Sequence, residues 1–572
     1  MRLIPARLWA LAALSGVLQL IPFPIAGPVP FWRTAFCWIA LLPLLFALLD
    51  RDRSGRPLSI PQTTLLAYLS GFVWYLGNCS WIYPTMHLYG GLAQPVAAGI
   101  LVLFCLYLGL YHALFGALVG AFRRLPLGRN GILILTPFAW VAVELARARI
   151  TGLPWDLLGI TQVDNPILTR LAPITGAYGL SFVIAFVNAL WLMRLTLRDR
   201  PYTRPALTLA GVVLFVGYVF ALHSLPGARQ SPPTATATLV QENLEVGAVA
   251  DQAPQPTTQQ LLDSFSALSL HPSATFLAGI PELSGTPKVV LLHRTNSDNS
   301  PATSGQDSST FGAPPLWTPP TDLIVWPESP AQGFEEASPQ FRDALSSLAR
   351  ASSSALIVGD VAFDRTTANA RGYYLYNSAE FVAPDGAFAG RYDKMHLVPF
   401  GEYVPFKQVF FFAKSLLNEV GLFDAGWHRV VFSTGGHKIG VFICYESIFA
   451  DEIRQYEQQG ADVLVNISND GWYGDSGAAW QHLNMVRMRA IENHRWVLRS
   501  TNTGITAAID PYGRVTMAAP RHIRTSLHVL FGYEHDITFY AAHGDLFAYL
   551  CALLTTLALA YSLSQRRSVK MP

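Results

Sequence analysis

Residues Lys438–Ser447 read KIGVFICYES. The apolar run Ile439–Ile443 has the length and composition of a buried strand. It stops at Cys444, and Tyr445 to Tyr456 carry the pattern of a helix. A cysteine at a strand-to-helix turn stands at a sharp corner, close to helix amides that favour negative charge on sulfur. A lone cysteine is more often a small buried hydrophobe. The placement of the other cysteines, two companion residues and the membrane topology favour a nucleophile instead.

The chain has 572 residues, 51% hydrophobic and 14% charged, with a mean hydropathy of +0.30. That charge content is low for a soluble globular protein. The net charge of +2 selects no partner, and no basic cluster is interleaved with aromatics, which argues against nucleic acid. Cys37, Cys105 and Cys551 fall within hydrophobic spans, Cys79 falls near the end of one, and Cys444 alone lies in the polar part of the chain. No CxxC pair or Cys/His ligand spacing occurs, which argues against structural zinc. One thiol in an otherwise cysteine-free domain forms no disulfide there, as suits an oxidising compartment.

Working outward, seven long apolar stretches precede residue 228, near 8–25, 34–50, 63–81, 93–122, 131–146, 176–194 and 206–224, and an eighth lies near 544–564. A helix needs about 20 apolar residues to cross the hydrocarbon core, and most of these come close. The first stretch, behind Arg2 and Arg7, has a signal-peptide alternative, but no clean cleavage site follows and a retained span is expected. If every span crosses, Arg2 and Arg7, Arg51–Arg56, Arg123–Arg129, Arg194–Arg204 and Arg566–Lys570 share one face. The positive-inside rule makes that face cytoplasmic and puts residues 228–540 outside. The outer loop Thr151–Asn165, TGLPWDLLGITQVDN, reads locally as an ordinary structured loop.

From about 234 the texture changes. Strand-like runs at Thr236–Val240, Asp322–Trp326, Ala355–Val358, Tyr373–Ser378, Ile439–Ile443, Val463–Ile467 and Thr506–Ile509 alternate with helical patterns near 256–269, 337–351, 446–459 and 477–495. This alternation predicts an α/β domain. Residues 295–320 are polar and rich in Ser, Thr, Pro and Gly, and read as a disordered insertion. The expected organisation is a transmembrane helical domain over 1–227, an extracytoplasmic catalytic domain over 228–540, and a final span with cytoplasmic tail over 541–572.

Two companions stand at comparable corners. Glu328 follows the strand Asp322–Trp326, at the strand edge where α/β folds place ligands. In RYDKMHLVPFGEYVP, Arg391–Pro405, Lys394 follows an extended segment and Glu402 lies in the loop shaped by Pro399, Gly401 and Pro405. Each alone is most often a solvated charge. Together they make a working set, in which a carboxylate takes the thiol proton and an ammonium, with a backbone amide, stabilises an oxyanion. His396, His428, His437 and His482 show no spacing that compels a Cys-His pair.

WPES, YDKMHLVPFGEYVP and ICYES resemble the three motif blocks of the nitrilase superfamily with its Glu-Lys-Cys triad. The longer wording HLVPFGEYVP, ISNDGWYG, RMRAIENHRWVLRSTNTGITAAIDPYG and TGLPWDLLGITQ is similar to the membrane branch, the apolipoprotein N-acyltransferases. The resemblance covers about 60–540. It implies an α/β/β/α nitrilase-like sandwich on a multi-span helical membrane domain, in a bacterial inner membrane with the catalytic domain facing the periplasm. It implies no metal and no diffusible cofactor. Glu328 would be the base, Lys394 the oxyanion partner and Cys444 the nucleophile. Glu402 would support the lysine, Tyr445 and Glu446 would shape the pocket, and Asn377 and Trp472 would contact substrate. The implied partners are a phospholipid acyl donor and diacylglyceryl lipoprotein acceptors, joined through a cysteine thioester. The aromatic segment Phe406–Phe423 reads equally as an acyl-chain gate or a packed helix. The rival readings are a membrane-tethered amidase or nitrile hydrolase, a non-catalytic lipoprotein-binding scaffold, and a transporter. Glu144 is the main intramembrane charge, and proton relays usually need more.

Overall fold

The computed structural model describes residues 4–196, 233–250, 256–272, 276–278, 289–291, 321–328, 338–365, 372–403 and 423–568. The expected span near 206–224, the insertion 295–320 and most of Phe406–Phe423 lie outside the described residues.

Five described helices are long and apolar enough to cross a membrane: Phe31–Leu49, Gln94–Phe122, Gly128–Thr151, Ala177–Leu195 and Leu546–Gln565. Two expected spans look different in detail. Ala6–Leu20 is a shorter apolar helix of 15 residues, ending ahead of Pro22 and Pro24, which cannot extend it. Phe31–Leu49 is three short helical pieces, the last opening with Pro43 in its first turn. Ile60–Asn78 forms a 19-residue helix whose buried face includes Gln62, Thr63 and Ser70. It packs closely on Gln94–Phe122. A Cβ at Gly116 would lie 2.4 Å from Thr63 O, and one at Gly120 would lie 2.3 Å from Thr63 Oγ1. This small-xxx-small spacing lets two backbones approach where lipid offers no hydrophobic drive between helices.

Arg7 and Arg123 meet around Asp50 at one end of the bundle. Arg7 pairs with Asp50 at 3.0 Å. Arg123 donates to the carbonyls of Leu48 and Asp50 at 2.7 and 3.0 Å.

The rest of the chain builds two six-stranded sheets. The strands are β1 (Ala235–Gln241), β2 (Phe276–Ala278), β3 (Val289–Leu291), β4 (Leu323–Val325), β5 (Ala355–Asp364), β6 (Tyr374–Val382) and β7 (Phe388–Asp393). They continue with β8 (Val431–Thr434), β9 (His437–Ile443), β10 (Val463–Ser468), β11 (Val497–Thr501), β12 (Ala507–Ile509), β13 (Val515–Ala518) and β14 (Thr525–Phe531). One sheet runs β14-β1-β4-β5-β6-β7 and the other β13-β12-β11-β10-β9-β8, while β2 and β3 form a separate hairpin. Side chains alternate as the strand period demands. Ile439, Val441 and Ile443 enter the core between the sheets, while Phe442 faces the other way, against Ile453 and Tyr456. The first sheet's outer face is covered by Thr258–Leu270 and Pro339–Ser352, the latter through Phe341, Leu345 and Leu348. The second is covered by Ala450–Gln458 and Ala478–Asn493. Helices therefore lie outside two facing sheets, giving the expected α/β/β/α sandwich.

Register sets the site. In the first sheet Leu239 pairs with Val325 and Val325 with Ile357, all parallel. In the second Ile443 pairs with Ile467 and Ser468 with Thr501, also parallel. The carboxyl ends of these strands are thus level, and the residues that follow them share one edge.

The loop Thr151–Asn165 docks on the sandwich through specific bonds. Trp155 Nε1 donates to Gln481 Oε1 at 2.8 Å, and Gln481 Nε2 donates to the carbonyls of Pro24 and Asn78 at 2.8 and 3.0 Å. Arg149 pairs with Asp451 and Asp545. Trp81, Trp155 and Tyr473 pack ring against ring. Glu144 accepts from Trp140 Nε1 at 3.1 Å and from the amide of Leu158 at 2.8 Å, so it anchors this loop.

Candidate active site

Glu328 follows β4, Lys394 follows β7 and Cys444 follows β9, and all three are buried. The amide of Lys394 donates to Asn377 O at 2.9 Å, which extends the β6–β7 pairing one residue and aims the lysine inward. Lys394 Nζ then lies 2.9 Å from Glu328 Oε1 and 3.0 Å from Glu402 Oε1. Asn377 Nδ2 donates to the same two oxygens, at 2.8 and 2.7 Å. The second oxygen of Glu328 accepts from the amide of Asn469, at the end of β10, at 2.8 Å. The second oxygen of Glu402 accepts from the amide of Val398 at 2.8 Å. Two buried carboxylates are thereby saturated by one ammonium, one amide side chain and two main-chain amides, the condition under which buried charge is tolerated.

Cys444 adopts φ +50°, a left-handed conformation that a residue with a Cβ seldom takes. Two groups hold it. Glu446 accepts from the amide of Ile443 at 2.7 Å, just before the corner. His482 lies 3.0 Å from the carbonyl oxygen of Cys444, just after it. The continuous helix expected from Tyr445 is not what forms. Cys444–Ile448 is a 3-10 turn, and the α-helix Ala450–Gln458 begins after Phe449. The physical cause is Glu446, whose carboxylate folds back to bind the amides of Ile443, Met395 and His396 and the hydroxyl of Tyr392.

This corrects the electrostatics expected at the sulfur. No α-helix begins at Cys444, since Ala450–Gln458 starts only after Phe449. Burial pushes the Cys444 thiol far up, the Glu328 carboxylate pushes the same way, and Lys394 opposes them. Burial and the carboxylate both favour the thiol over the thiolate, which is why the sulfur calls for a base. Burial pulls Lys394 down, but Glu328 and Glu402 outweigh it and hold it well above the ordinary lysine range. It stays an ammonium. Burial raises Glu446, with hydrogen bonds from Ile443, Tyr392 and Met395 and the charge of Lys394 opposing.

The structure brings Glu328, Lys394, Glu402, Asn377 and Cys444 into one cluster, with Glu446 bracing the corner. Tyr445 points the other way, and its hydroxyl donates to Gly152 O at 3.2 Å in the docked loop. Trp472 is half-buried in the Asp470–Tyr473 turn, where its ring packs over Gly247. Sequence reasoning missed His482, Asp470 and Arg499. Their signal was weak because each lies among other polar residues, well along the chain from Cys444. Among the described residues one trio, His494, Glu534 and Asp536, has metal-ligand spacing. Asp536 is already bound by His494 at 2.8 Å and by Arg495, whose charge disfavours a second cation.

Glu446→Ala is expected to lower stability by about 2–5 kcal/mol, because it leaves buried donors at Ile443, Met395 and Tyr392 unpaired. Thermal unfolding in detergent reads this directly, and an unchanged Tm contradicts it.

Residues 15–190 match the model of the apolipoprotein N-acyltransferase N-terminal domain, and residues 313–529 match that of carbon-nitrogen hydrolases. The apolipoprotein N-acyltransferase of Geobacter metallireducens is 33% identical over 555 residues, covering 96% of this chain and 94% of that one. The chain belongs to the apolipoprotein N-acyltransferase family. Further members are those of Methylococcus capsulatus, 31% identical over 90% of each chain, and Haemophilus influenzae, 29% identical over 96% of this chain and 93% of that one. As a member of the family it is an acyltransferase of the carbon-nitrogen hydrolase superfamily, carried on membrane-spanning helices.

Proposed function

We propose that the chain moves a fatty acyl group from a membrane phospholipid, through a thioester on Cys444, to the α-amine of S-diacylglyceryl-cysteine lipoproteins. The observation that carries this reading is the buried thiol at a left-handed corner beside an ammonium held between Glu328 and Glu402. In the first step Glu328 takes the thiol proton as sulfur attacks the ester carbonyl. Lys394 stabilises the oxyanion. The C–O bond breaks, the proton passes from Glu328 to the departing oxygen, and a lysophospholipid leaves. In the second step the lipoprotein amine attacks the thioester and gives its proton to Glu328. The C–S bond breaks, an amide forms and the sulfur recovers the proton. Glu402 and Asn377 keep the lysine and the base in register, and Trp472 is assigned to substrate contact. Burial of the cluster excludes the water that would otherwise hydrolyse the thioester. The direct test is intact-mass analysis of protein purified from membranes. A fatty-acyl adduct on Cys444, discharged by a diacylglyceryl peptide with a free amine, is the expected result. Steady release of ammonia from small amides without a lipid donor supports the amidase reading instead.

In this reading residues 1–227 and 541–572 form the membrane domain and residues 228–540 the catalytic domain, on the periplasmic side of the inner membrane. The positive-inside rule supports it, together with the gathering of Arg7 and Arg123 around Asp50 at one end of the bundle. All five native cysteines are buried, so an introduced one reports cleanly. Asp385→Cys, on an exposed turn, is expected to react with a membrane-impermeant maleimide in intact spheroplasts, and Ser54→Cys only after permeabilisation. The opposite pattern refutes this orientation.

A further inference from the structure

The helix Ala478–Asn493 carries a histidine that the acyl-transfer scheme leaves without a task. His482 is fully buried. Its Nε2 lies 3.0 Å from the carbonyl oxygen of Cys444 and 2.7 Å from Ser447 Oγ. Its Nδ1 lies 2.9 Å from Asp470 Oδ1 and 3.2 Å from Arg499 Nη2. Asp470 is itself fixed, by Ser468 Oγ at 2.8 Å and by Arg499 Nη2 at 2.6 Å.

A carbonyl oxygen only accepts hydrogen bonds. The 3.0 Å contact is therefore a bond only when Nε2 carries a hydrogen, with Ser447 Oγ sharing it. The bond falls on the residue whose backbone is strained. A left-handed corner at a non-glycine persists where its surroundings over-determine it. Glu446 grips the amide of Ile443 before the corner and His482 grips the carbonyl after it. The helix bearing His482 is anchored in turn, because the adjacent Gln481 is bonded to Trp155, Pro24 and Asn78.

We propose that His482 is a positioning residue for the nucleophile. By donating from Nε2 to the carbonyl of Cys444 it holds the strained corner that aims the sulfur, while Asp470, itself held by Arg499 and Ser468, fixes the ring at Nδ1. The inference rests on the reading of Cys444 as the acylated residue. It differs from a Cys-His pair, since the ring bonds to the main chain and moves no proton of the thiol.

The test uses the full-length protein in phosphatidylethanolamine-containing vesicles, with the rate of adduct formation on Cys444 followed by intact mass at several donor concentrations. A glutamine amide nitrogen stands where Nε2 stands, and an asparagine amide nitrogen where Nδ1 stands. His482→Gln is expected to keep the maximal acylation rate within about fivefold. His482→Asn is expected to lose about 100-fold in that rate with donor half-saturation unchanged, as displaced reacting groups do. A purely packing role lowers the Tm of both variants without ranking their rates. Equal rates in the two variants, or a loss confined to half-saturation, overturn the inference. Should His482→Asn fail to fold, the wild-type protein decides. Nitrogen NMR of histidine-labelled protein, assigned by the signal missing in His482→Gln, must find Nε2 protonated, and an unprotonated Nε2 overturns the inference. Wild-type protein that forms no adduct strikes at Cys444 itself. A wild-type adduct with equal variant rates strikes at His482 alone.

Discussion

Cys444→Ala is expected to yield no fatty-acyl adduct when incubated with phospholipid, and no N-acylated product. Deleting one buried sulfur costs on the order of 1 kcal/mol in packing, so the fold survives and the loss is chemical. Neither carboxylate replaces the sulfur as acceptor. Both oxygens of Glu328 are engaged, one by Lys394 and Asn377 and the other by the amide of Asn469. Glu402 is held the same way, by Lys394, Asn377 and the amide of Val398. The other four cysteines are buried, three of them within membrane helices and Cys79 at the end of one, and cannot take over the acyl group. Intact-mass analysis after exposure to donor vesicles measures this. An adduct of wild-type yield on the variant removes Cys444 from the mechanism.

Lys394→Ala is expected to lower acylation by about 100-fold or more, the scale of a lost oxyanion donor. It also carries a stability cost that Cys444→Ala does not. The ammonium lies between two buried carboxylates, 2.9 Å from one and 3.0 Å from the other. Without it, Glu328 and Glu402 face each other across Asn377 with no cation between them. The expected destabilisation is about 3–5 kcal/mol, as for other buried pairs broken on one side. Adding Glu402→Gln to Lys394→Ala removes one of the opposed charges. That double variant is expected to regain Tm while the acylation rate stays low. Recovery of rate along with Tm would reduce Lys394 to a structural ion-pair member.

Much of this candidate site was legible in the sequence because its three proposed reactive residues each follow a strand-like run, apolar before Glu328 and Cys444 and merely extended before Lys394. Asp322–Trp326 before Glu328, the extended segment before Lys394 and Ile439–Ile443 before Cys444 carry their own signals. The structure forms β4, β7 and β9 there. Glu402 and Asn377 were found through motif wording rather than physics, since nothing local distinguishes a loop carboxylate from a solvated one. The helix after Cys444 was misjudged for a related reason. Helical periodicity describes Ala450–Gln458 well. It cannot reveal that Glu446 is drawn back onto Ile443, Met395 and Tyr392. Two of those three partners come from another sheet and loop.

What the sequence by itself determined is therefore most of the elements and the candidates for the reactive groups. Strand and span patterns are properties of neighbouring residues, and the hydrophobic effect acts on them locally as well as globally. Tertiary structure alone decided the distances and the charge states. Glu328 and Lys394 are 66 residues apart in the chain and reach 2.9 Å because β4 and β7 end on the same edge of one sheet, joined through the parallel β4–β5 and the antiparallel β5–β6 and β6–β7 pairings. The thiol is pushed up because segments far apart in sequence together exclude water from it. Desolvation and Coulomb terms depend on position in space, which no window along the chain contains.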